Sequence, residues 1–209
     1  MRSTGRRNGV RALVATTCAA ISLVGALGSW DARAAEVAGV ELPDTIELDG
    51  VSLQLNGAGE RTLYVVRTYV AALYVAQPST HAQALLAQPG PRRLSMTMLA
   101  ALSTEWVVER LTAAMRANTS EEAFARLQPR LVRLVEAFLA LERLRKGDRV
   151  DIDAVGGATR LSVGGRGAEV PGEDLFDALL RGFIGERPID AALQHSLLGR
   201  PAPKVDPGT

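Results

Sequence analysis

The sequence predicts an α+β fold in which helices cover one face of an antiparallel sheet, and three observations carry that prediction. Asp49-Gly50 stands between two alternating runs in "TIELDGVSLQL", the strongest short-range hairpin signal a sequence offers. At Ser103 the apolar period changes from two to helical spacing. Paired glycines then punctuate "DRVDIDAVGGATRLSVGGRGAEV", an alternating stretch that reads as a small meander. Runs of strands followed by runs of helices point to α+β rather than to a parallel sheet of βαβ units. With 209 residues, 47% of them hydrophobic, the chain has enough apolar material for one core, and neither a repeat nor a linker divides it.

The first element is a leader. "MRSTGRRNGVR" is basic, "ALVATTCAAISLVGALGS" is apolar and rich in small residues, and Ala32-Arg33-Ala34 supplies a cleavage pattern, so residues 1–34 read as a signal peptide cut after Ala34. Cys18 follows Ala-Thr-Thr rather than a leucine-led lipobox. Without the leader the chain keeps 19 basic and 22 acidic residues, a net charge of −3, and no cysteine. A periplasmic or secreted protein is expected, stabilised by packing rather than by disulfides. The acidic balance and the lack of basic blocks interleaved with aromatics argue against nucleic acid as a partner. They also give no reason to expect adhesion to anionic lipid or stable membrane insertion once the leader is removed.

A domain over residues 35–200 follows. After the Asp49-Gly50 hairpin, "GAGERTLYVVRTYVAALYVAQP" is rich in valine, tyrosine and threonine and reads as one long strand closed by Pro78. Residues Arg92 to Leu99 give another. In "STEWVVERLTAAMRANTS" the residues Val107, Leu111, Ala114 and Met115 recur at helical spacing behind a Ser-Thr start. A second helix opens at Ser120 with Glu121 and Glu122, and carries a stripe of Phe124, Leu127, Leu131, Leu134, Val135, Phe138 and Leu139. Pro129 is expected to kink or divide it, with Gly147 as its stop. "EDLFDALLRGFIG" and "PIDAALQHSLLG" read as two short closing helices, the second ended by Gly199. Residues 201–209 form a proline-rich tail, expected to be flexible.

Most chemistry is excluded by residue type. His81 and His195 are far apart, and with no cysteine beside them no metal site is expected. "VGGRGAEVPG" lacks the Lys-Ser/Thr of a phosphate loop, and His195-Ser196 comes without a nucleophile elbow. Nothing calls for a cofactor. Asn118-Thr119-Ser120 fits a glycosylation sequon or simply a helix boundary.

What remains is the long strand. At a period of two, Arg61, Leu63, Val65, Arg67 and Tyr69 share one face. That face is either solvated, with arginine stems lying over neighbouring strands, or closed, because both faces are almost equally apolar. In a closed space a guanidinium demands an anion, either internal, such as Glu60 or Glu105, or a ligand.

"LNGAGERT…YVAALYV", "STEWVVERL" and "FDALLRGFIGERPIDAALQHSLLG", spread over Gly39 to Gly199, resemble the chalcone isomerase-like family, and in particular its secreted bacterial branch. The resemblance implies an open-faced β-sandwich, a long antiparallel sheet layered with helices, with a ligand cleft between them. In the family's isomerases the arginine of the "GAG-x-R" motif steadies a phenolate, and Arg61 matches it. A threonine late in the strand corresponds to the neighbourhood of Tyr69, and a tyrosine and an asparagine of the central helix correspond approximately to Ser103 and Arg110. Three of four polar roles have therefore changed. A non-catalytic branch holds a fatty-acid carboxylate with an arginine and a tyrosine, which Arg61 and Tyr69 resemble better. The resemblance thus implies a small amphipathic anionic ligand, a fatty acid or a polyphenol, with Arg61 or Arg67 as its anchor. An intramolecular lyase of chalcone type is the enzymatic alternative. A structural protein with a vestigial cleft is the third, and it requires Arg61 to be salt-bridged in a filled core.

Overall fold

The computed structural model describes residues 35–141 and 143–200. The leader and the tail read from the sequence lie outside them. In chain order the elements are β1 (Ala35–Val37), β2 (Val40–Leu42), β3 (Thr45–Leu48), β4 (Val51–Leu63), β5 (Val66–Val75), α1 (Ala82–Leu86), β6 (Arg92–Met98), β7 (Leu102–Ser103), α2 (Thr104–Ala117), α3 (Glu121–Leu139), β8 (Arg143–Leu144), β9 (Arg149–Val155), β10 (Ala158–Val163), β11 (Arg166–Pro171), α4 (Asp174–Ile184) and α5 (Ala191–Leu197).

Seven strands form one antiparallel sheet in the order β11-β10-β9-β6-β5-β4-β3. Its middle strand pair, β5 and β6, is covered on both sides. Tyr69, Ala71 and Leu73 of β5, with Leu94, Met96 and Met98 of β6, face the helices and pack with Val107, Phe124, Leu134, Phe138, Phe176 and Phe183. Val70, Ala72 and Tyr74 face the other way, into a smaller cluster with Leu42, Leu48 and Leu53 that the β1–β2 ribbon closes. The two-sided apolar character of the stretch therefore reflects burial on both faces.

Several sequence expectations hold in detail. Asp49 and Gly50 both have positive φ, 53° and 76°, in the turn joining β3 to β4, as the matching twist of a tight hairpin requires. Gly156-Gly157 and Gly164-Gly165 turn the β9–β10–β11 meander. Ser103 and Ser120 cap α2 and α3, accepting from the Trp106 and Ala123 N–H groups.

Three expectations are corrected. The single long strand is two, β4 and β5, reversed at Tyr64-Val65 and paired to each other from Gln54↔Val75 to Leu63↔Val66. A run of β-branched and aromatic residues hides a turn that contains no glycine, asparagine or proline. Helix α3 runs unbroken through Pro129. Pro129 and Ala125, whose carbonyl loses its partner, both face solvent, so water can satisfy that carbonyl while Leu127 and Leu131 keep the next turns on the core. The helix ends at Leu139 with Ala140 as cap, and Gly147 instead supplies a φ of +91° in the turn before β9.

Candidate functional site

Arg61 and Tyr69 are direct cross-strand partners in the β4–β5 ladder. They share a face because of hairpin register, not because of parity along one strand. Opposite them, α2 brings down Trp106, Val107, Arg110 and Leu111, and the α4–α5 loop adds Ile189. Met96 and Met98 of β6 complete the wall of this small pocket. Arg61 is only 6% exposed, yet its Nε and Nη1 find no hydrogen-bond partner, and neither does the Tyr69 hydroxyl. Among the described residues no carboxylate lies within ion-pair distance of the Arg61 guanidinium. Its guanidinium carbon lies 5.9 Å from the Tyr69 ring centre and 5.7 Å from that of Trp106, and the carboxylate felt in the pocket is that of Asp190, whose charge acts on Tyr69.

Burial pushes the Tyr69 phenol up to about 12, against the pull of the neighbouring Arg61 charge. At neutral pH the pocket thus presents the buried Arg61 cation and one neutral hydroxyl donor, with Arg110 as a second guanidinium in its lining. Among the described residues that line it there is no carboxylate or histidine to act as a general base. The free space beside them is about 10 Å³, room for roughly one water. Leu111 also lines a second hollow of about 50 Å³ between α2, α3 and the sheet, apolar except for Thr112 and bounded by Val108, Leu134, Val135, Phe138 and Ile152. A charged end and an apolar extension therefore adjoin through one leucine.

The glycines before Arg61 have a packing reason. A Cβ on Gly57 would come within 2.1 Å of the Ser196 carbonyl oxygen, and one on Gly59 within 2.5 Å of the Ser196 Cβ. Helix α5 therefore lies directly on the β4 backbone, and Asn56 locks it by donating to the Leu197 carbonyl while accepting from the Ser79 N–H. The "GAG" of the sequence is the seat of the last helix, and Arg61 follows it on the strand.

The other candidates are placed differently. Arg67 lies outside: a bulge between Arg61 and Thr62 interrupts the ladder, and the Arg67 guanidinium is half exposed and bonded to Glu60 at 2.6 Å. Glu60 is thereby the partner of Arg67 and not of Arg61. Ser103 serves the helix that lines the pocket: its hydroxyl accepts from the Trp106 N–H at 3.2 Å and so fixes the first turn of α2. Arg110, which also lines the pocket, approaches the Trp106 ring to 5.8 Å from its centre, so the indole lies near two guanidiniums. Asn118 is engaged on every side, donating to the Ala114 and Arg187 carbonyls and accepting from the Arg187 N–H. That makes it a helix-end bracket. Sequence reading missed Trp106, although a tryptophan in the first turn of a capped helix was the available signal.

Among the described residues no cluster of three or more histidine, cysteine or acidic side chains could hold a metal ion, and no helix is long and apolar enough to cross a membrane. No curated protein matches the chain. Among solved structures it is similar to a fatty-acid binding protein of Arabidopsis thaliana, AtFAP1, with a TM-score of 0.61 at 15% identity, over 77% of this chain and 92% of that one. At that identity the likeness establishes the fold, a long antiparallel sheet layered with helices. A sequence profile described as chalcone isomerase-like matches residues 34–199, nearly the whole of the described structure. The chain belongs to the chalcone isomerase-like family.

Proposed function

We propose that this protein binds an amphipathic anion of fatty-acid type, with the carboxylate on Arg61 and Tyr69 and the acyl chain between α2, α3 and the sheet. One observation carries the reading: a buried guanidinium with two unpartnered nitrogens faces an unpartnered phenol in the same pocket, with no carboxylate among the described residues within ion-pair distance of it. A buried, uncompensated cation is costly, and a structure that retains one is built to receive a negative charge. AtFAP1, similar in fold, is by its name a fatty-acid binding protein, which supports the reading.

Binding is favoured over isomerisation by what surrounds the arginine. Among the described residues that line the pocket there is neither a carboxylate nor a histidine, and a phenol raised to about 12 is a poor proton acceptor at neutral pH. The small free volumes mean that an acyl chain enters only as α2 and α3 part from the sheet. A charged hydrogen bond nets roughly 1.5–3 kcal/mol, whereas each buried methylene contributes about 0.8 kcal/mol. The chain sets affinity, and Arg61 sets orientation and the preference for acids.

Arg61→Met is expected to lower the preference for a fatty acid over the matching fatty alcohol while retaining most binding of the alcohol. Equal losses for both ligands, measured by isothermal calorimetry, refute the assignment. Export belongs to the same proposal: the mass of the protein recovered outside the cytoplasm should correspond to a chain starting at Ala35.

A further inference from the structure

The turn between β4 and β5 breaks two rules at once. Tyr64 has a φ of +56°, a conformation that hairpin turns normally give to glycine or asparagine. Tyr64 is also 94% exposed, Val65 92% and Val66 51%, three consecutive large side chains held out in water. Gly-Asn at 64–65 would make a better turn, since of the two residues Tyr64 alone has a positive φ, and a more soluble surface, so the fold itself has no use for Tyr-Val. Strain and exposed apolar surface at one spot point to a contact outside the chain.

The surroundings indicate its kind. Leu99 and Ala100 donate to the Thr68 carbonyl, Gly147 donates to Met98, and Arg67, Lys146 and Gly147 line one hollow at the base of the turn. The segment holding Arg143, Arg145 and Lys146 thus sits at the same end of the sheet as Tyr64, and all three side chains are exposed with no carboxylate partner among the described residues. Arg61 is close behind, two residues along β4 from Leu63.

We propose that this end of the molecule docks reversibly on a lipid bilayer, with Tyr64, Val65 and Val66 entering the interface and Arg143, Arg145 and Lys146 meeting anionic headgroups. A protruding wedge of three side chains is far too small for a stable protein interface of about 1,200 Å² or more. It suits a bilayer interface, where tyrosine is favoured and a few basic residues add attraction. The net charge of −3 spoke against such adhesion, but charge is segregated: among the described residues this end carries Arg67, Arg143, Arg145 and Lys146 against Glu60 and Asp148. The site would collect its ligand from the membrane, and in its cargo alone this proposal rests on the fatty-acid reading.

The test is co-sedimentation of the chain from Ala35 to Thr209 with vesicles of phosphatidylcholine, with and without phosphatidylglycerol. The wild type should bind the anionic vesicles, more weakly as salt rises and more weakly without phosphatidylglycerol. The double variant Tyr64→Gly, Val65→Asn, which puts glycine at the positive φ and so keeps the fold, should lose about tenfold or more of that binding. Arg145→Gln with Lys146→Gln should weaken binding to anionic vesicles only. A wild type that stays in the supernatant overturns the proposal, as does a double variant that sediments like the wild type. A vesicle-free dimer that the double variant converts to monomer assigns the tip to a second copy and equally overturns it. Arg61→Met should dock normally, whereas the double variant should still bind fatty acid supplied from solution, so the two readings fail separately.

Discussion

Two arginines are buried on the helix-facing side of the same sheet, Arg61 at 6% exposure and Arg92 at 2%, each beside an aromatic ring. Tyr69 pairs with Met98, so Arg61 lies level with one end of β6 and Arg92 occupies the other, about 20 Å away. Both leave Nε unpartnered, but their carboxylate company differs. Arg92 bonds Asp177 at 2.8 Å, approaches Glu173 at 3.5 Å and donates to the Leu86 carbonyl, tying the sheet to α4 and α1. Arg61 has no such partner. The same residue type on the same face is thus a closed structural clasp at one end and an open cationic socket at the other, and only the partners tell them apart.

Replacing each arginine by methionine should separate the roles most strongly. Arg92→Met removes one partner of a buried pair and strands Asp177, whose carboxyl burial already pushes above its usual range against the pull of Arg92. A loss of about 3 kcal/mol or more in urea unfolding is expected. Arg61→Met should leave stability unchanged or raise it by about 1 kcal/mol, because the cation it removes is uncompensated. If Arg61→Met destabilises as much as Arg92→Met, the socket is a second clasp and the ligand reading falls.

Next in size is the seat of α5. Gly59→Ala places a methyl where the Ser196 Cβ and Oγ and the Leu193 Cδ1 already lie. A cost of about 1–3 kcal/mol follows from overpacking. Since Ile189, two residues ahead of α5, borders the pocket, fatty-acid binding should weaken with it. Arg92→Met tested at a temperature where the protein is still folded should leave binding intact, since its clasp lies at the far end. Calorimetry on both variants checks whether the two ends are independent.

How much of this was legible beforehand depends on distance along the chain. Local signals located the Asp49-Gly50 turn, the serine caps at 103 and 120 and the glycine turns of the meander, since each is decided within four or five residues. The Tyr64-Val65 turn was invisible because its residues contradict turn chemistry, and the parity argument put Arg67 beside Arg61 when a bulge and Glu60 take it outside. Arg61 was nevertheless found, because a cation among valines is conspicuous whatever its register. Arg92 was not, because nothing near it in sequence announces Asp177, eighty-five positions away. The resemblance to a family narrowed the function, but the unpaired state of Arg61 could be read only from coordinates.

The smallest effect concerns pH and tests the socket alone. An unperturbed tyrosine ionises near 10, and a phenolate beside Arg61 would neutralise the guanidinium and repel a carboxylate. Burial moves this phenol up to about 12, so Tyr69 remains a neutral donor across the range where exposed tyrosines deprotonate. Fatty-acid affinity should therefore stay level from pH 8 to about 10.5 and fall only as pH approaches 12. The sign for stability agrees: a group whose folded value is raised contributes fully below about 10 and loses its contribution as pH rises through 12. Tyr69→Phe should bind fatty acid more weakly by about 1 kcal/mol for the lost hydrogen bond, with no alkaline step at all. A wild-type titration centred on 10, followed by the ligand's fluorescence or by calorimetry, would mean that water reaches the phenol freely and that the socket is open to solvent rather than sealed under α2.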